Sequence, residues 1–281
     1  MTILVTGARG HVARSLVQQL LAADPEVKVR AAGRVPEAVR LPVGVELVRA
    51  DLAEPATLGP ALTGAAKVFL YAEQRGLRGF VTEAQAAGVA HIVLLSAAGA
   101  DPASEDAITR AHGEAEQTVA RSGIPWTFLR PGGFATNRLL WADTVRTHGV
   151  VHEAFPDSHS SLIHEADIAA VALHALTEPG HHGKAHTLTG PESLTGRRHV
   201  ELLAEAIGRP LRIEPQSLDD YRRALSRWPP EIVEARIRRI AALVDRPAPV
   251  TDTVREVTGH PARSFATWAA DHTADFGRSA A

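Results

Sequence analysis

Apolar positions fall into two rhythms along the first half of the chain. Short runs at residues 2–5, 27–31, 45–48, 67–71, 91–95 and 126–129 have strand length. The run at 91–95 is almost continuously apolar, as expected of a strand buried on both faces. Between these runs, Val12, Leu16 and Leu20 recur at helical spacing, which predicts a helix over 12–21. Residues 79–87 and 108–122 read as further helices, the second stopped by Gly123 and Pro125. Strands alternating with helices predict parallel βαβ units with right-handed crossovers. After Pro131 the rhythm breaks. Glycine and proline punctuate the chain at Pro156, Pro179-Gly180, Gly183, Gly190-Pro191, Gly208 and Pro210, and helices are expected over 165–177, 198–207 and 231–244. The fold class implied is α/β: a doubly wound parallel Rossmann sheet with a smaller mixed C-terminal substrate-binding region. Residues 1–135 would form the nucleotide-binding domain and 136–281 the substrate-binding region, partly interleaved because its strands can rejoin the main sheet.

Composition narrows the chemistry. The chain has 281 residues, and its 45% hydrophobic content is enough for a full core. No apolar run approaches the roughly 20 residues of a membrane span, and no secretory leader is read at the N-terminus. Cysteine is absent, which excludes disulfides, thiolate metal sites and thiolate catalysis. A cytoplasmic location is expected. The net charge is −2 without a basic stripe, so no nucleic-acid partner is expected. Arg236, Arg238 and Arg239 cluster within one predicted helix and read as a solvated face.

The candidate chemistry begins at Thr6-Gly7-Ala8-Arg9-Gly10-His11-Val12-Ala13, between the first strand and the first helix. Gly7, Gly10 and Ala13 have G-x-x-G-x-x-A spacing. Gly7 can make the tight turn, Gly10 lets the backbone approach a pyrophosphate, and Ala13 lets the helix pack closely on the sheet. The helix N-terminus offers free N–H groups and a positive dipole end. Contacts to a dinucleotide are therefore expected from Gly7, Ala8, Arg9, Gly10, His11 and Val12. An NAD site usually carries an acid at the end of the second strand, to hold the ribose 2′-hydroxyl. Here the stretch is Arg30-Ala31-Ala32-Gly33-Arg34. Arg34 and Arg9 suit a 2′-phosphate, which favours NADP(H) over NAD(H). Asp51-Leu52 follows the third strand and either flanks the adenine or caps a helix.

The chain resembles the NmrA-like group of atypical short-chain dehydrogenases/reductases. The segments that carry the resemblance are Thr6-Gly7-Ala8-Arg9-Gly10, Val93-Leu94-Leu95-Ser96, Ser122-Gly123-Ile124-Pro125-Trp126-Thr127-Phe128-Leu129-Arg130-Pro131, Ile163-His164-Glu165-Ala166-Asp167-Ile168-Ala169, Leu188-Thr189-Gly190-Pro191 and Val257-Thr258-Gly259-His260-Pro261. The resemblance implies that Tyr71-Ala72 and Ser96-Ala97 line the nicotinamide side, and that the stretch Pro131, Gly132, Gly133, Phe134 lies over the cofactor. It also implies that His164 and Asp167 are structural, at a helix start.

One departure from the pattern matters. Ordinary short-chain dehydrogenases place Tyr-x-x-x-Lys on the helix after the fifth strand, where residues four apart share a face. Counting back from the Gly-Ile-Pro segment puts Ile108 at the Tyr position and His112 at the Lys position. Isoleucine cannot protonate a carbonyl oxygen. His112 either does acid/base work or only holds the ribose, and Tyr71 and Ser96 are the other catalytic candidates. Glu116, one turn on, either orients His112 or is an exposed helix glutamate. Asn137 either faces the cleft or caps a helix. The histidines His181, His182 and His186 lack metal-site spacing, and no metal is expected. Three functions fit: an NADPH-dependent reductase of a small cyclic quinone, enone or imine; a redox-inert NADP(H)-sensing regulator that meets a protein partner; and a non-redox isomerase or lyase. The expected partner is a small-molecule substrate, and a homodimer is possible.

Overall fold

The computed structural model describes residues 1–36, 40–71 and 75–277. The strands are β1 (Thr2–Thr6), β2 (Lys28–Gly33), β3 (Glu46–Arg49), β4 (Lys67–Tyr71), β5 (His91–Leu95), β6 (Trp126–Pro131), β7 (Val150–Glu153), β8 (His159–Ser160), β9 (Lys184–Leu188), β10 (Leu194–Thr195) and β11 (Arg212–Pro215). The helices are α1 (His11–Ala23), α2 (Leu58–Leu62), α3 (Leu77–Ala86), α4 (Ala107–Ala120), α5 (Ala142–His148), α6 (Glu165–Thr177), α7 (Gly196–Ile207), α8 (Leu218–Ala224), α9 (Pro230–Ala241), α10 (Thr253–Thr258), α11 (Phe265–Asp271) and α12 (Thr273–Phe276). None of these helices is long and apolar enough to cross a membrane.

Seven parallel strands form the main sheet in the order β3-β2-β1-β4-β5-β6-β9. Alternation along each strand divides its side chains between two cores. Ile3, Val5, Phe69, Val93 and Leu95 pack against α1 and α6 on one face. Leu4, Val68, Leu70, Ile92 and Leu94 pack against α2, α3 and α4 on the other. Apolar residues on both sides of the same strand are what this doubly wound arrangement demands. The strand order reverses between β1 and β4, so a crevice opens at their carboxyl ends.

The second half contributes to both parts of the molecule. α6 covers the β1 face, and β9 extends the sheet beyond β6, with Thr127 to Pro131 in register with Lys184 to Leu188. The rest forms a smaller mixed body with its own core of Trp141, Val145, Val151, Leu203, Phe265, Trp268 and Phe276. It holds two two-stranded sheets, β7 with β11 and β8 with β10. α8 and α9 hang from this body with a separate small cluster of Leu225, Val233 and Ile237. Helix ends follow the sequence: Thr195 caps α7 by accepting the Arg198 N–H at 3.2 Å, and Pro230 opens α9 at a position that needs no N–H donor.

Candidate active site

β1 delivers the chain into the glycine turn at the sheet reversal. Gly7 has φ +71°, and a Cβ there would lie 3.1 Å from Tyr71 Cβ, so the turn sits directly on the end of β4. The Gly7 carbonyl accepts the Gly10 N–H at 2.8 Å, and the Ala8 N–H donates to the Ala32 carbonyl at 3.0 Å. Val12 and Ala13 are buried against the sheet. α1 starts at His11 with Gly10 as an extended N-cap, no side-chain capping bond and no acid in its first turn. Its leading N–H groups are left for an anion. The cradle fits a pyrophosphate in shape and sign.

Arg9 and Arg34 stand on either side of the Ala8–Ala32 contact. Both are exposed, and neither enters an ion pair among the described residues. Asp51 is occupied locally: its Oδ1 accepts the Ala53 N–H at 3.0 Å, and its own N–H donates to Thr57 Oγ1 at 2.9 Å. The Leu52 carbonyl packs so tightly on Gly76 that a Cβ there would come within 1.6 Å. Ala72 lies outside the described residues.

A cleft of about 910 Å³ opens at the carboxyl ends of β4, β5 and β6. It collects Tyr71, Ser96, Ala97, Ile108, His112, Pro131, Gly132, Phe134 and Asn137, which are far apart in sequence. Four buried polar atoms of its lining residues lack partners among the described residues; Arg138 Nε and Ser160 Oγ are two of them, and the other two lie at the sheet end and on α4. Ser96 Oγ is buried at the end of β5, and His112 Nδ1 is buried on the cleft face of α4. Buried polar atoms are nearly always hydrogen-bonded, so both suit contacts to bound ligands. Burial holds the His112 imidazole below its usual pKa of 6.5; the Glu116 carboxylate opposes this and the Arg239 charge adds to it. His112 is therefore mostly neutral at pH 7, with one N–H to donate and one lone pair. Tyr71 is exposed at the cleft edge, its backbone N–H bound to Thr6 Oγ1 at 2.7 Å.

Several side chains behave differently from their sequence reading. Glu116 is buried rather than exposed, because Arg130 at the end of β6 grips both its oxygens, at 2.9 and 2.5 Å. Arg236 and Arg239 do not form a solvated face. They turn into the cleft, and only Arg238 is exposed. Arg239 binds Asp106 at 2.9 Å and also Thr109, tying α9 to the start of α4. Arg236 Nε donates to Tyr221 Oη at 2.8 Å. The cleft also recruits Arg75, Arg110, Arg138 and Phe155, which no motif announced, and Trp228, an aromatic residue that the sequence offers for an apolar cleft. The signal available was the i, i+3 spacing of Arg236 and Arg239, which places them on one side of α9. Trp141 and Trp268 are buried in the second core, and Tyr221 packs beside the α8–α9 cluster. His164 caps α6 by accepting the Ala166 N–H at 3.0 Å, and buried Asp167 pairs with Arg263. His181 and His186 meet at 3.4 Å at the opposite edge of the sheet, away from the cleft.

Comparison with known proteins agrees with this geometry. Residues 7–179 match the NAD(P)H-binding family. A (4-alkanoyl-5-oxo-2,5-dihydrofuran-3-yl)methyl phosphate reductase of Streptomyces griseus is 41% identical, with 98% of this chain and 99% of the relative covered. An NAD(P)H azoreductase of Xenophilus azovorans is 39% identical, with 98% and 99% covered. Among solved structures, the NADPH-dependent quinone oxidoreductase of Escherichia coli complexed with NADPH superposes with a TM-score of 0.77 at 28% identity, covering 96% of this chain and 99% of that one.

Proposed function

The chain belongs to the NAD(P)H-binding family, and on that premise we propose that it uses NADPH to reduce a small, conjugated, electron-poor acceptor: a quinone, an enone or an imine. The observation that carries this reading is His112. It lies in the same cleft as Ser96 and the β4 end, while the expected Tyr position holds Ile108. A simple ketone needs a strong proton donor at its oxygen, and the Tyr–Lys pair that would supply it is missing. A conjugated acceptor spreads the incoming charge and needs less acid help. The relatives' names point the same way, since a butenolide, an azo compound and a quinone are all conjugated acceptors.

The bound nicotinamide would supply a hydride, and one proton completes the reduction. The chain's own groups do the rest. Gly7, Gly10 and the first turn of α1 hold the pyrophosphate, and Arg9 and Arg34 the 2′-phosphate. Ser96 Oγ and Tyr71 hydrogen-bond at the nicotinamide and acceptor side. His112, after taking up a proton from solvent, donates an N–H toward the acceptor oxygen or nitrogen, gives up that proton and returns to the neutral imidazole. The Glu116–Arg130 pair fixes the α4 turn that carries His112.

The test is NADPH oxidation with a quinone and enone panel, for the native chain and His112→Ala. Oxidation that slows roughly 100-fold or more in the variant supports both the reaction and the role of His112. Tight NADPH binding without oxidation of any acceptor would overturn the proposal in favour of a sensor or a non-redox enzyme.

A further inference from the structure

The cleft holds more positive charge than cofactor binding needs. Five arginines line it (Arg75, Arg110, Arg138, Arg236 and Arg239) against the carboxylates Glu114, Glu153 and Glu231. Two of the five are matched locally: Arg239 by Asp106 at 2.9 Å, and Arg138 by Glu153 at 3.4 Å. Arg236 has no carboxylate partner among the described residues; its bond is from Nε to Tyr221 Oη at 2.8 Å. That bond orients the guanidinium, and neither terminal nitrogen has a hydrogen-bond partner among the described residues.

Arg138 stands nearby. It is largely buried, lies 4.5 Å from the Trp141 ring centre, and has an Nε without a partner. Desolvation weakens its hold on its proton, and the Arg236 charge weakens it further, although Glu153 opposes both. Both guanidiniums line the same cleft, and Glu153 is the one carboxylate paired with either of them among the described residues, so an added anion would lower their mutual repulsion. A fixed guanidinium with a free two-nitrogen edge matches the bidentate geometry of phosphate oxygens.

We infer that Arg236, backed by Arg138 and oriented by Tyr221, is a subsite for a phosphate monoester carried by the acceptor. The subsite rests on the reductase reading and deepens it. The substrate would be a conjugated acceptor with a short phosphate arm, its reactive end toward Ser96 and His112 and its phosphate toward α9. Phe155 and Trp228 also line the cleft and suit an apolar body between the two ends.

The test compares two acceptors, an unsaturated γ-lactone bearing a CH₂–O–phosphate arm and the same lactone bearing CH₂OH. In the native chain, kcat/KM should favour the phosphorylated lactone by at least roughly tenfold, and Arg236→Gln should remove most of that preference, bringing the ratio toward one. Arg236→Lys keeps the charge without the fork and should retain part of it. Arg238→Gln, on the exposed side of the same helix, should keep the native preference. Equal use of both lactones by the native chain, or an undiminished preference in Arg236→Gln, overturns the subsite. If neither lactone is reduced, calorimetric titration into the NADP⁺-saturated protein separates the two claims. Binding that needs both the phosphate and Arg236 upholds the subsite while the reductase reading fails; binding indifferent to either overturns the subsite. If Arg236→Gln does not fold, Tyr221→Phe, which releases the guanidinium plane, replaces it and should lower the same preference.

Discussion

His112 is the residue on which the chemistry turns, and its surroundings fix the sign of its pH dependence. Burial lowers its pKa below 6.5, so at pH 7 to 8 it is almost entirely the neutral imidazole. A proton donor of lowered pKa works better as the pH falls toward that value. The rate of NADPH oxidation at saturating acceptor should climb as the pH falls from 8 and level off only below the lowered pKa, with the climb absent in His112→Ala. A native profile without the climb, or a variant that keeps it, would leave His112 as a ribose contact. Arg34 makes a second prediction. It is exposed and unpaired beside the glycine turn, so its value lies in the ligand it meets. Arg34→Ala should raise KM for NADPH roughly tenfold relative to KM for NADH, as expected for losing one charge-assisted contact to a 2′-phosphate. Equal changes for the two cofactors would remove Arg34 from the site.

At the scale of elements, α4 is held in place by backbone contact as well as by side chains. Gly113 follows His112, and a Cβ there would come within 2.2 Å of Asp101 C and Pro102 N. Both are backbone atoms, so the helix itself must move. Gly113→Ala should destabilise the fold by about 1–3 kcal/mol and slow turnover by displacing His112, read as a lowered melting temperature together with a lowered kcat. Retained stability and activity would mean that the loop at 98–106 yields instead. The elements differ in how plainly the sequence announces them. β1, β4 and β5 are legible because both faces of each must be apolar, and the glycine spacing marks the turn that follows β1. β9 is not, because Lys184-Ala185-His186-Thr187-Leu188 lies at the sheet edge and carries one large apolar side chain. The cleft face of α9 is hidden for another reason. Arg236 and Arg239 look like solvent-facing charges until Asp106, Thr109 and Tyr221, distant in sequence, are brought beside them. Glu116 and Arg130 likewise meet only because α4 packs over β6. Sequence periodicity reports how apolar a face is, and it carries no record of which charged groups a crossover brings together.

For the whole molecule, histidine burial sets how stability varies with pH. His91 is almost fully buried at the start of β5, with Nε2 3.0 Å from Thr127 Oγ1 and its ring 4.4 Å from the His182 ring. Burial, then the charges of His182, Lys67 and His181, lower its pKa to about 4. Between pH 6.5 and 4 the unfolded chain therefore takes up a proton that the folded chain refuses, and stability falls as the pH is lowered through that window. His91 alone should account for a loss on the order of 3 kcal/mol. His11, His112, His181, His186 and His199 are also held below 6.5, so they share this acid limb. His272 runs the other way. It bridges Glu165 and Asp275, each at 2.7 Å, and lies 4.5 Å from the Trp268 ring, joining the C-terminal helices to the start of α6. Burial opposes its charge, but the bonds to the two carboxylates prevail and raise its pKa above 6.5. Its contribution is complete below 6.5 and is lost as the pH rises through the raised value. Glu165, held below its usual 4.5, keeps its share until the solution is more acidic than that. The melting temperature should therefore peak near pH 6.5 and decline on both sides. His91→Gln, which keeps a hydrogen bond to Thr127 but cannot titrate, should flatten the acid limb and leave the alkaline one. His272→Gln should do the reverse, and the protection of α11 and α12 against hydrogen exchange, relative to the intrinsic rate at each pH, should then no longer fall between pH 6.5 and 8. If both variants shifted the whole curve without changing its shape, neither histidine would be titrating on folding, and the burial of His91 and the carboxylate bridge at His272 would count as packing alone.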